Sequence, residues 1–106
     1  MDNKMAKLPK PPATFQSFQK KYPKIAQAWD DLSEAGRHGP LDDSTQRLVK
    51  LGIAIGAMRE GSVHSAVRKA QAAGVTSDAI DQVVALAATT IGLPSAVAVY
   101  SWINDR

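Results

Sequence analysis

The chain has 106 residues, a formal charge of +3 and no cysteine, a length that suits one domain. Without cysteine there is no disulfide framework, thiolate metal site, cysteine nucleophile or dithiol redox centre. No stretch approaches the roughly 20 apolar residues of a membrane span, and the N-terminus MDNKMAKLPKPPA lacks the apolar core of a secretory signal, so a cytoplasmic protein is expected.

The charge is uneven. Lys4, Lys7, Lys10, Lys20, Lys21 and Lys24 face Asp2 alone in the first 24 residues, a balance of +5, and the remainder carries a balance of −2. The basicity belongs to the start of the chain, and the body has no basic stripe interleaved with aromatics, so neither a nucleic-acid nor a membrane partner is expected.

Residues 1–12, with lysines and three prolines, are expected to form a flexible basic arm, and residues 13–106 the folded domain. From Thr14 a helical period sets in with Phe15, Phe18 and Tyr22. Pro23 interrupts it and can open a second helix at its first position. That helix carries the stripe Ile25, Ala28, Trp29 and Leu32 and is expected to end near Gly36. His38, in the Gly-Arg-His-Gly loop, reads as a solvated turn residue.

A third helix starts at Asp42 or Asp43; with Asp43 as cap, Gln46 falls at the capping-box position. Leu48, Val49, Leu51, Gly52, Ile53, Ile55 and Gly56 make it apolar on most of its circumference, which predicts burial against more than one neighbour. Gly52 and Gly56, one turn apart, read as a close helix contact or as space for a ligand. In REGSVHSAVRKAQAAG (59–74) the stripe is Val63, Ala66, Val67 and Ala70, and Gly74 followed by Val75 predicts a left-handed helix stop. Thr76 or Ser77 caps a fifth helix with Ile80, Val83, Val84, Ala87, Ala88 and Ile91, ended by Gly92. Pro94 opens the last helix, with Val97, Val99, Tyr100, Trp102 and Ile103. Trp29, Tyr100 and Trp102 are expected to fill the core or a subunit contact. No segment alternates with period two, so the fold class is all-α, five or six helices with short connections.

The order and spacing of GPLDDSTQRLVKLGIAIGA, AQAAGVTSDAIDQVV and ALAATTIGLPSAVAVY, from about Pro40 to Trp102, resemble the carboxymuconolactone decarboxylase and alkylhydroperoxidase-D superfamily. The resemblance implies an all-helical domain with a central helical hairpin, assembling as a dimer, trimer or hexamer of identical chains. The peroxidase-like branch uses Cys-x-x-Cys-x-x-x-His, whose positions here hold Arg59, Ser62 and Ala66. Serine cannot pass through sulfenic acid and disulfide states, so dithiol peroxidase activity is excluded.

The decarboxylase branch implies acid/base chemistry on a small carboxylate or lactone, with no cofactor. Glu60 and His64 lie four residues apart and can meet across one helical turn, which makes them the candidate catalytic pair. Arg68 or Arg59, with Arg47 on the preceding helix, are candidates for binding a substrate carboxylate, for which the planar guanidinium fork is suited. The same pair also reads as a packed or interfacial Glu-His contact, and as a metal site it is incomplete unless symmetry supplies further ligands. An acid/base enzyme and a non-catalytic oligomeric or small-ligand-binding module on the same scaffold both remain open.

Overall fold

The computed structural model describes residues 13–104 and contains six helices in chain order, with no strand among the described residues: α1 (Ala13–Lys21), α2 (Pro23–Arg37), α3 (Asp43–Gly56), α4 (Glu60–Ala72), α5 (Ser77–Ile91) and α6 (Leu93–Asn104). The expected arm, residues 1–12, lies outside the described residues. The helices fall into two compact units, one holding α1 and α2 and the other α3–α6.

In the first unit, Tyr22 leaves helical geometry (φ −125°, ψ 72°) and Pro23 occupies the first turn of α2. Proline is tolerated there because its missing N–H would have no intrahelical partner. The Phe18 and Tyr22 rings meet at 5.1 Å across the break. Neither helix contains a buried residue. Trp29 is 56 % and Leu32 70 % exposed, so of the two places expected for Trp29, a core or a subunit contact, the core is corrected. α2 ends at Arg37, one residue past Gly36, as expected.

The second unit packs α3 against α4 and α5, and α6 against α4 and α5. Its core is Leu51, Ala54, Ile55, Val63, Val67, Ala70, Ile80, Val84 and Val99, with Trp102 and Ile103 partly buried against it. The expected stripe of α4 is therefore the buried one. No charged or polar side chain is fully buried among the described residues. Burial of α3 is narrower than its composition suggests, because Ile53 is 66 % and Val49 45 % exposed. Tyr100 is 52 % exposed and is not a core residue.

Caps set the register of these helices. Asp42, not Asp43, is the N-cap of α3, its carboxylate accepting from the Thr45 backbone N–H at 2.9 Å. The alternative capping box through Gln46 is thereby corrected. The Thr45 side chain first, then its backbone N–H and the Ser44 hydroxyl, hold the Asp42 carboxyl below its ordinary value, because hydrogen bonds to the carboxylate favour the ionised form. Thr76 caps α5 by accepting from Ala79 N–H at 3.1 Å.

Two helix ends share one geometry. After α4, Gly74 N–H donates to Gln71 C=O and Val75 N–H to Ala70 C=O, both at 3.0 Å, with Gly74 at φ +87°, the left-handed stop expected. After α3, Met58 N–H donates to Ile55 C=O at 2.9 Å and Arg59 N–H to Ala54 C=O at 3.3 Å. Here the left-handed residue is Met58, φ +54°, where glycine would be unstrained. This closure turns the chain within three residues and lays α4 back along α3.

Candidate functional site

The α3–α4 hairpin carries every residue singled out for chemistry. α4 begins at Glu60, whose carboxylate lies in the first turn, where the helix dipole favours negative charge. His64 follows one turn later, its imidazole Nε2 3.6 Å from a Glu60 carboxylate oxygen. That is ion-pair distance, outside the range of a hydrogen bond. The His64 side chain is 24 % exposed and that of Glu60 55 %. The Nε2 atom is inaccessible to water and has no hydrogen-bond partner. Sequence spacing thus placed the pair correctly on one face, and the structure adds that its imidazole nitrogen is unsatisfied.

Arg47 lies on α3 with its side chain 20 % exposed and its Nε 3.6 Å from the Asp43 carboxylate. This Nε also lacks a hydrogen-bond partner. The cationic side chains of Arg47, Arg68 and Lys50 act together on Lys69, whose ammonium is pushed below its ordinary value by partial burial first and by these three charges next. Arg47 and Arg68, the candidate carboxylate binders, therefore belong to one electropositive cluster. Lys50 and Lys69 complete it and were not picked out in the sequence; the available signal was their position beside Arg47 and Arg68 on two helices folded into a hairpin.

Arg59, Ser62 and Ala66 occupy the dithiol-motif positions. Arg59 caps α4 without a side-chain hydrogen bond, Ser62 is exposed, and Ala66 packs against the core. His38 is a solvated turn residue as expected, its side chain 76 % exposed and 4.0 Å from Glu34.

An open apolar groove of about 540 Å³ runs between α3 and α5, lined by Leu48, Val49, Gly52, Val83, Leu86 and Ile91 among others. None of Glu60, His64, Arg47 and Arg68 is among its lining residues. Gly52 and Gly56 border it, and they are not a close helix contact. A Cβ on Gly52 would sit 3.9 Å from Val83 Cγ1, an ordinary contact, and one on Gly56 would meet nothing within 4 Å.

The six-helix arrangement and its central hairpin agree with the sequence comparison: the model of the carboxymuconolactone decarboxylase family matches residues 23–105, and the chain belongs to that family. The match begins at α2 and takes in the whole α3–α6 unit. Neither the curated proteins nor the solved structures contain a significant match. Among the described residues no helix is long and apolar enough to cross a membrane, and no three His, Asp or Glu side chains gather as a metal site.

Proposed function

We propose that this family member is an acid/base enzyme acting on a small carboxylate or lactone, with Glu60 and His64 in proton transfer and Arg68 and Arg47 binding the acid. The observation that carries this reading is the His64 Nε2, shielded from water, without a hydrogen-bond partner, and 3.6 Å from the Glu60 carboxylate. An imidazole held just short of its carboxylate neighbour can exchange partners by a small ring rotation, and catalytic hydrogen bonds are often long before substrate binds. Protonated His64 would deliver a proton to a substrate carbon as carbon dioxide leaves and its bonding electron pair stays behind on that carbon. The Glu60 carboxylate would stabilise the imidazolium, and water would restore the proton for the next cycle. Arg68, one turn beyond His64, would set the distance between the bound carboxylate and the ring. A panel of small β-keto and lactone acids, assayed for carbon dioxide release, tests this: His64→Gln and Glu60→Gln should each lose at least about 100-fold, a typical share for general acid–base catalysis.

A second reading, a non-catalytic module built from identical chains, is supported by the outward-facing apolar side chains. Ile53, Leu86, Leu93 and Val97 in one unit, and Trp29 and Leu32 in the other, are each more than half exposed, and apolar side chains that gather into a contiguous exposed patch mark interaction sites. Light scattering on the purified chain tests it, a mass of one subunit at micromolar concentration counting against it.

A further inference from the structure

We propose that the cluster of Arg47, Lys50, Arg68 and Lys69 is a binding site for a compact multivalent anion bearing phosphoryl oxygens, and that this is the anionic end of the ligand. The inference rests on the proposed function only in taking that ligand to be the one His64 would act upon.

Topology places the four residues on the half of the α3–α4 hairpin away from its turn. Met58 lies at the centre of the α3–α4 turn, and Arg47 and Lys69 are each eleven residues from it, so the antiparallel hairpin places them level. Lys50 is one turn from Arg47 on α3, and Arg68 precedes Lys69 on α4, about 100° around the helix from it; Lys50 and Arg68 are exposed. Among the described residues the one acidic group paired with any of them is Asp43, at 3.6 Å from Arg47, and its side chain is 68 % exposed. Four cations against one solvated carboxylate leave a local excess of three charges.

Burial makes the part of that excess carried by Arg47 and Lys69 costly. The Arg47 side chain is four-fifths covered and its Nε has no hydrogen-bond partner, and Lys69 is partly withdrawn from water beside three like charges. A single carboxylate would leave two of the three excess charges uncompensated. A phosphoryl group carries about two negative charges near pH 7 and three acceptor oxygens, and a diphosphate carries more. Two guanidinium forks with two lysine point charges suit such an oxygen set. The cluster centre lies about 7 to 8 Å of helix rise beyond His64, so a phosphorylated small molecule could extend its other end to the Glu60–His64 pair.

Calorimetric titration of the full chain with inorganic pyrophosphate, at ionic strength held constant with sodium chloride, tests the site. The expected result is saturable one-to-one binding that falls at least tenfold in Lys69→Met and in Arg68→Met, with His64→Gln binding as the unaltered protein does. Lys69→Met should also melt no lower than the unaltered protein in chloride, which separates lost binding from lost folding. Binding that survives both cluster substitutions, or heat no different from that in matched chloride, overturns the proposal. Tighter binding of citrate than of pyrophosphate overturns the phosphoryl assignment, and tighter binding of a short single-stranded oligonucleotide overturns the small-molecule one. Failure of the proton-transfer reading reads out differently, as unchanged turnover in His64→Gln with anion binding intact.

Discussion

The His64 imidazole stands 3.6 Å from the Glu60 carboxylate one turn earlier on α4, and its facing nitrogen is closed to water with no hydrogen bond made. With the Glu60 side chain 55 % exposed, the ion pair itself contributes little to stability, about 0 to 1 kcal/mol. Glu60→Gln and His64→Gln should therefore each change the unfolding free energy by less than about 1 kcal/mol in urea titrations. Any larger loss of activity in these variants would then be chemical in origin.

The two left-handed helix stops should respond to substitution with opposite signs. Methionine at φ +54° is strained by about 1 kcal/mol relative to glycine, a gain partly offset by glycine's freer unfolded chain. Met58→Gly should stabilise the fold by roughly 0.5 kcal/mol, and Gly74→Ala, at φ +87°, should destabilise it by about 1 kcal/mol. Denaturant midpoints of the two variants measured side by side decide the matter.

Gly52 offers a test of the α3–α5 groove. Glycine inside a helix costs about 1 kcal/mol relative to alanine, and an added Cβ would find only Val83 Cγ1 at 3.9 Å. Gly52→Ala should accordingly raise the melting temperature of the isolated chain by a few degrees. A lower melting temperature would contradict the free space found beside Gly52.

Stability should depend on pH at both ends of the range. Asp42 titrates below its ordinary value of 3.8 in the folded chain, so the stability its cap contributes is present above pH 3.8 and is lost as pH falls through the folded value. Lys69 is shifted below 10.5 on folding. Between that lowered value and pH 10.5 the unfolded chain binds more protons, so stability rises with pH across this alkaline window. Lys69→Met should flatten the alkaline rise and Asp42→Ala the acid fall, as read from urea midpoints against pH.

Helices with a single buried stripe were legible in the sequence because burial follows the 3.6-residue period: Val63, Val67 and Ala70 on α4, Ile80 and Val84 on α5. Gly74 and Pro23 were legible because each has one conformational role that fits its place. Met58 was not, since nothing in a methionine signals φ > 0; the geometry is imposed by the short α3–α4 connection. Composition likewise overstated the burial of Ile53, Trp29 and Tyr100, because an apolar residue states a preference and the chain must still provide something to cover it. For the site, four-residue spacing sufficed to bring Glu60 to His64. The cationic cluster needed the fold, since Lys50 and Lys69 are unremarkable until α3 and α4 lie side by side.

The central claim is that Glu60 and His64 move a proton on a small acid. It is tested most directly by following carbon dioxide release and solvent deuterium uptake at carbon, by NMR in deuterated water, for the unaltered protein and the Glu60→Gln/His64→Gln double variant on the same acid panel. The account predicts deuterium incorporation with the unaltered protein and its loss by at least about 100-fold in the double variant, with helical content unchanged. Equal incorporation by the two proteins would contradict it.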